Sequence, residues 1–96
     1  MIDMEKRHRL MVLEIMNRRL PGIPVQVFGS RSRGKAKTTA DLDLLIMTNQ
    51  ALSSLDRALL KDDLSESDLP FRVDLVEAAS ADPVFLASIQ TDLQAL

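Results

Sequence analysis

The sequence predicts an α+β fold in one domain, with three helices and three strands in the order helix, strand, strand, helix, strand, helix. Three observations support this prediction. A chain of 96 residues suits one compact domain with a modest core. A composition that is 46% hydrophobic and 27% charged is typical of a globular chain. Apolar residues recur at helical or strand spacing along the chain, and no repeat or long linker divides it.

The first helix is expected from Met4 to Leu20, where apolar side chains recur at helical spacing. Asp3 is a candidate N-cap at its start. Pro21-Gly22 should end it, because proline cannot continue the helix and glycine tolerates the left-handed turn. A short strand then runs from Val25 to Phe28, and the small, basic segment from Gly29 to Ala40 is interpreted as a loop or one short helical turn.

The second strand is expected from Leu42 to Met47, and its almost continuous apolar character is typical of a central strand covered on both faces. Leucines up to Leu60 indicate a second helix, capped by Ser53 in a Ser-x-x-Asp pattern or starting earlier at Asn49. The stretch from Lys61 to Leu69 is interpreted as a polar connection.

The third strand is expected from Phe71 to Val76. Asp82-Pro83 has the pattern of an N-cap followed by proline at the first helical position, so a third helix should run roughly from Pro83 to Leu93. His8, within the first helix, and Glu77, directly after the third strand, are expected at the surface.

Composition excludes several classes of function. A formal net charge of −2 argues against general binding to nucleic acid or an anionic membrane. The absence of cysteine excludes disulfides, thiolate zinc sites and thiol catalysis. No apolar run approaches the roughly 20 residues that span a bilayer, and the charged start does not resemble a secretion signal. We therefore expect a cytoplasmic protein.

The most informative pattern is a Gly-Ser turn followed, ten residues later, by Asp-x-Asp. Gly29 and Ser30 can present backbone N–H groups to a triphosphate. Asp41 and Asp43 are two residues apart, so on a strand their side chains project to the same face. Asp74 can join them if the second and third strands are neighbours. Three clustered carboxylates repel one another unless cations lie between them, so the pattern favours a nucleotidyl-transfer site that uses two divalent ions.

Roles follow from this chemistry. Asp41, Asp43 and Asp74 are the candidate metal ligands, and Asp74 also accepts or orients the proton of the nucleophile. The intervening loop carries basic residues of which one or two could contact phosphate: Arg31, Arg33, Lys35 and Lys37. Taken separately, Asp-x-Asp is commonly a turn or a solvated strand end, and the basic loop is commonly a solvated surface.

The segments Val27–Ala36 and Ala40–Ile46, together with the acid in Phe71–Val76, closely resemble the minimal nucleotidyltransferase family of the DNA polymerase beta-like superfamily. Ala40 is a departure, since the family usually has serine before the first acid. The resemblance implies a small mixed sheet of three to four strands flanked by helices, a nucleoside triphosphate substrate and two magnesium ions. It also implies a partner, because members of this size often accompany a helical HEPN-domain toxin and act as its antitoxin by transferring AMP to a tyrosine.

The leading hypothesis is therefore an adenylyltransferase that uses ATP to modify a partner HEPN toxin, with which it forms a hetero-oligomer. Two alternatives remain open at this point. The chain could neutralise the toxin by binding alone, or it could transfer a nucleotide to a small molecule or an RNA end. The lack of a second domain argues against the small molecule, and the net negative charge argues against RNA.

Overall fold

The computed structural model describes residues 2–34, 36–37 and 39–96. This part of the chain forms three α-helices, four strands and two short 3₁₀ turns. The helices and strands are α1 (Lys6–Arg19), β1 (Val25–Phe28), β2 (Leu42–Ile46), α2 (Ser54–Ser65), β3 (Val73–Glu77), α3 (Pro83–Ile89) and β4 (Gln94–Ala95).

The four strands form one mixed sheet in the order β3-β2-β1-β4. β1 pairs antiparallel with both β2 and β4, whereas β2 and β3 are parallel. The parallel pair requires a crossover connection, which α2 supplies. This mixed four-stranded sheet with three helices confirms the predicted fold class.

Helices cover both faces of the sheet, but unequally. On one face, Leu42, Leu44 and Ile46 of β2 pack in the main core with buried residues of α1 and α2 such as Val12 and Leu60. On the other face, a smaller cluster joins Phe28 and Leu45 to Ile89 of α3. Because both faces of β2 pack against apolar side chains, its continuous apolar run is explained and the central-strand prediction is confirmed.

The start of α1 differs from the prediction. The helix begins at Lys6, and its N-cap position is Glu5, which makes no side-chain capping hydrogen bond. The carboxylate of Asp3 instead accepts a hydrogen bond from the backbone N–H of Ala36, and the N–H of Asp3 donates to the carbonyl of Arg31. The prediction of Asp3 as the cap was therefore wrong, because this residue ties the N-terminal segment to the loop after β1.

The second helix starts as predicted and ends later. The Ser53 hydroxyl accepts a hydrogen bond from the N–H of Asp56 at 3.0 Å, which confirms the Ser-x-x-Asp cap. The helix continues to Ser65, so the polar connection predicted from Lys61 was placed too early. Leu64 is buried one turn after Leu60, and this packing extends the helix through residues whose polarity indicated a loop.

The third helix also starts as predicted, with Asp82 accepting a hydrogen bond from the N–H of Val84 and Pro83 in the first turn. It ends at Ile89 rather than near Leu93, and a 3₁₀ turn follows over Gln90–Asp92. The chain then returns to the sheet as β4, which pairs with β1.

Two surface predictions were wrong. His8 is only 8% exposed, and its ring packs edge-on against Phe71 with the ring centroids 5.7 Å apart. The Glu77 side chain is 12% exposed and pairs with Arg57 at 2.7 Å. It also accepts a hydrogen bond from the N–H of Leu52. The hydrogen bond from Arg57 holds the pKa of Glu77 below its usual value. Within the described residues, no helix is long and apolar enough to cross a membrane.

Candidate active site

Two of the three acidic residues singled out by the sequence are register partners across the parallel pair of strands. Asp43 of β2 is paired with Asp74 of β3, so their side chains leave the same face of the sheet. That face is the one that carries α3, because Leu45 and Val76, each two residues further along, belong to the cluster around Ile89. The neighbouring strands that the sequence prediction required are therefore present.

The negative charges of this group interact. Burial raises the pKa of Asp43, and the charges of Asp74 and Asp41 raise it further. Arg33 acts in the opposite direction and lowers it. Asp41 precedes the first residue of β2, two positions before Asp43. These effects on the pKa of Asp43 place the carboxylates of Asp41 and Asp74, and the guanidinium of Arg33, within electrostatic reach of Asp43.

Carboxylate oxygens are the ligands that Mg²⁺ prefers, so the chemistry of this donor set fits a divalent ion. Among the residues that the structure describes, however, no three acidic or histidine side chains already form a closed metal-ligand set. Asp74 instead contacts Arg72, which directly precedes β3: Nη2 of Arg72 lies 3.5 Å from Oδ1 of Asp74. Both side chains are largely open to solvent, with exposed fractions of 80% for Arg72 and 45% for Asp74. Such an exposed pair is weak and can open when a cation binds.

Gly29 lies directly against Asp43. Its φ of +78° lies in the left-handed region that favours glycine. A Cβ added at this position would collide with Oδ2 of Asp43 and lie 3.3 Å from its Cγ. Glycine is therefore favoured here both by the backbone conformation and by the close approach of the carboxylate. Ser30 follows in the same turn and is half-buried.

Arg31, one of the predicted phosphate contacts, is almost fully buried. It is 5% exposed, and its guanidinium donates hydrogen bonds to the carbonyl of Ala40 at 3.0 and 2.8 Å and to that of Asp3 at 2.9 Å. The guanidinium also lies 4.2 Å from the centre of the Phe71 ring. This burial favours a role in holding the loop after β1 in shape, and the contact of Arg31 with phosphate stays a prediction.

The other basic residues of the loop are more open. Arg33 is half exposed, forms an ion pair with Asp92 at 2.8 Å, and is the guanidinium that lowers the pKa of Asp43. Lys37 is exposed, and its carbonyl accepts a hydrogen bond from Ala40. Lys35 lies outside the described residues. Arg33 is therefore the basic residue of the described loop that the structure brings to the acids.

Comparison with known proteins agrees with this geometry. Residues 12–96 match the family described as "Polymerase beta, Nucleotidyltransferase". The chain belongs to this family. Since the match includes the Gly-Ser turn and all three acids, the resemblance to minimal nucleotidyltransferases is confirmed, and the chain is a nucleotidyltransferase.

Individual members of this nucleotidyltransferase family are also similar. "Probable protein adenylyltransferase MntA" of Haemophilus influenzae is 42% identical over 84 residues, which cover 88% of this chain and 74% of the relative. A solved minimal nucleotidyltransferase is 35% identical with a TM-score of 0.72, covering 95% of this chain and 91% of that one. A toxin–antitoxin crystal structure with AMP-PNP is 25% identical with a TM-score of 0.74, covering 90% of this chain and 69% of that one.

The structure also shows contacts, in the loop after β1 and beside Asp74, of residues that the sequence did not single out. Ser32 is buried, and its hydroxyl donates a hydrogen bond to the carbonyl of Asp92. The side-chain amide of Gln94 donates to the carbonyl of Ser32. These contacts fasten the loop after Gly29 to the C-terminal segment, which is about 60 residues distant along the chain, so no local pattern could reveal them. Arg72 did carry a signal, because it is two residues before Asp74 on the same face.

Proposed function

We propose that this chain transfers AMP from ATP to a tyrosine hydroxyl of a partner HEPN-domain toxin and thereby acts as its antitoxin. The observation that supports the proposal most directly is the register of Asp43 with Asp74, beside Asp41 and against the glycine turn. An arrangement of this kind combines a group of acids with an adjacent turn suited to phosphate.

The relatives support the choice of nucleotide and partner. The Haemophilus influenzae relative is named as a protein adenylyltransferase, and it shares 42% of its residues with this chain over the aligned region. The toxin–antitoxin structure that is 25% identical was solved with AMP-PNP, an analogue of ATP. Transfer of AMP to a protein is therefore the form of nucleotidyl transfer that these similarities favour.

Two magnesium ions are part of the proposal, and Asp41, Asp43 and Asp74 are the residues that would hold them. When bound, such ions neutralise the triphosphate and lower the pKa of the attacking hydroxyl. The crowding of negative charge that raises the pKa of Asp43 is relieved by bound cations, which gives a physical reason for three acids at this place.

The remaining roles belong to side chains and backbone of the same face. Gly29 and Ser30 would offer the turn in which the triphosphate is held, and Arg33, whose charge lowers the pKa of Asp43, would contact a phosphate oxygen. Asp74 orients the acceptor hydroxyl and receives its proton. The hydroxyl oxygen forms a bond to the α-phosphorus, the bond from that phosphorus to the bridging oxygen breaks, and pyrophosphate leaves.

Mass spectrometry tests this proposal. The HEPN-domain partner is incubated with the chain, ATP and magnesium, and we expect its mass to increase by whole AMP units. The Asp41→Ala/Asp43→Ala variant should add none, while Asp68→Ala, which changes an exposed aspartate of the α2–β3 connection, should match the wild type. Failure of the wild type to add AMP, or equal addition by the double variant, would overturn the proposal.

A second candidate is an antitoxin that works by binding alone. The contact of Arg72 with Asp74 and the lack of a closed ligand set among the described residues favour it. The two candidates differ in one measurement. If the Asp41→Ala/Asp43→Ala variant still neutralises the toxin at equimolar concentration, binding suffices, whereas loss of neutralisation supports transfer.

A further inference from the structure

The outer edge of β3 has properties that the proposed function does not yet use. β3 is the last strand on its side of the sheet, and the described residues add no strand beyond it. All five of its residues are only partly buried, whereas every residue of its neighbour β2 except Asp43 is buried. An open edge strand of this kind exposes unpaired N–H and C=O groups that can pair with another chain.

The register shows which backbone groups face outward. The N–H of Leu42 donates to the carbonyl of Arg72 at 2.9 Å, so the groups of Arg72, Asp74 and Val76 face β2. Because the direction alternates along a strand, the N–H and C=O groups of Val73 and Leu75 face away from the sheet. Two donors and two acceptors therefore stand at the spacing that an added strand requires.

A groove of about 700 Å³ runs beside this edge. β3 forms one wall, and Leu64 of α2 and Leu69 of the following turn contribute apolar side chains. Lys61 and Arg72 are the basic side chains that line it, and both are exposed. The groove thus joins an apolar floor and a basic rim to a row of unpaired backbone groups, and it includes Asp74.

We propose that an extended segment of the acceptor protein adds to β3 as a fifth strand, with the modified residue in register with Asp74. This inference rests on the proposed function and names how the acceptor is held. Register partners on adjacent strands project to the same face. A side chain opposite Asp74 on the added strand therefore projects from the same face as Asp43. Strand spacing puts the Cβ atom of this acceptor residue about 5 Å from the Cβ atom of Asp74.

The outward backbone groups of β3 and the charges beside it indicate what kind of acceptor segment would bind there. Alternating outward donors and acceptors match an extended polypeptide, which supplies the complementary series, and strand addition is a common mode of peptide recognition. The exposed Arg72 and Lys61 favour acidic residues beside the modified hydroxyl. We therefore expect the acceptor segment to be extended and to carry acidic residues next to the hydroxyl residue.

One experiment removes an outward donor. Val73→Pro deletes the N–H that faces the groove and leaves the hydrogen bonds between β2 and β3, since proline is tolerated on edge strands. Val73→Ala is the matched control, because it also removes the valine side chain but keeps the N–H. With the HEPN-domain partner as acceptor, Val73→Pro should raise the KM for the acceptor about tenfold over Val73→Ala, with KM for ATP unchanged. Equal KM values for the acceptor would overturn the proposal.

A second measurement uses the wild type, so it does not depend on the folding of a variant. Hydrogen exchange should show that the amides of Val73 and Leu75 gain protection when the partner binds, while AMP is still transferred. Transfer without such protection overturns the strand-addition proposal and leaves the proposed function intact. Absence of transfer with protection present overturns the proposed function and leaves the docking mode intact.

A second copy of the chain is the other occupant to test. If sedimentation shows a dimer of the isolated chain that Val73→Pro dissociates, the edge belongs to an interface between copies and the proposal fails. A monomer for both proteins, together with protection on adding the partner, supports the acceptor segment.

Discussion

Asp43 and Asp74 stand opposite each other on two parallel strands, in register and on the same face of the sheet. Like charges in this relationship destabilise a sheet, because neither carboxylate can be neutralised by the other. The cost is increased by the burial that raises the pKa of Asp43. The pair is therefore best explained by what it binds, and it leads to predictions for stability as well as for activity.

Asp43→Asn should stabilise the folded protein at neutral pH by about 0.2–1 kcal/mol, because it removes one of two like charges on adjacent strands. The contribution of Asp43 to the free energy of unfolding should fall as pH rises above about 4, since its raised pKa makes the folded state bind more protons than the unfolded state in that range. The stability gained by Asp43→Asn over the wild type should therefore grow with pH. Urea unfolding as a function of pH, with Asp68→Asn as the exposed control, measures both effects. A variant less stable than the wild type at neutral pH would contradict this account.

Magnesium with ATP should raise the melting temperature, because both bind the folded state. At a ligand concentration a hundred times the dissociation constant, the gain is about 2.7 kcal/mol. The shift should be lost in Asp43→Asn and kept in Asp68→Asn. Thermal unfolding followed by circular dichroism provides the measurement, and an equal shift in both variants would place the ligand elsewhere.

Gly29→Ala should abolish most transfer activity, and Gly22→Ala is its matched control. The two glycines have nearly the same backbone angle, with φ values of +78° and +77°, so both variants should lose about 1 kcal/mol of stability. Only Gly29 lies against Asp43, while a Cβ at Gly22 meets nothing within 4 Å. We expect at least about a tenfold greater loss of kcat/KM in Gly29→Ala than in Gly22→Ala, measured by AMP transfer. Equal losses would mean that backbone strain alone matters.

Arg33→Ala should raise the KM for ATP while changing stability by less than about 1 kcal/mol, because its ion pair with Asp92 is partly exposed. Asp92→Asn removes the same ion pair but keeps the guanidinium. It should therefore leave the KM for ATP unchanged or lower it. If both variants raise KM equally, Arg33 acts by holding the C-terminal segment rather than by contacting phosphate.

Arg31→Lys should behave in the opposite way and lower stability by about 1–3 kcal/mol, because a lysine cannot donate to two carbonyls and stack on Phe71 at once. The KM for ATP of the folded variant should stay close to that of the wild type. Denaturant unfolding and steady-state kinetics separate the two outcomes. Unchanged stability with a raised KM would support the contact of Arg31 with phosphate that the sequence predicts.

Local patterns determined most of the architecture. Val25–Phe28 was predicted at its observed bounds, and the caps at Ser53 and Asp82 were found from the side chains that make them. These features depend on residues close in sequence, so a short window contains the relevant physics. The Gly-Ser and Asp-x-Asp spacing likewise identified the family and located two of the acids before any fold was known.

The tertiary structure decided which of these groups meet. Only the parallel pairing of β2 with β3 brings Asp74 opposite Asp43, and only the packing around Phe71 buries His8 and directs Arg31 inward. Tertiary structure also decides the contact of Ser32 with the C-terminal segment. The sequence does not show whether a basic residue of a loop stays in solvent or packs against an aromatic ring, because its burial depends on neighbours distant along the chain. The sequence by itself therefore determined the chemistry available, and the fold determined which residues can perform it.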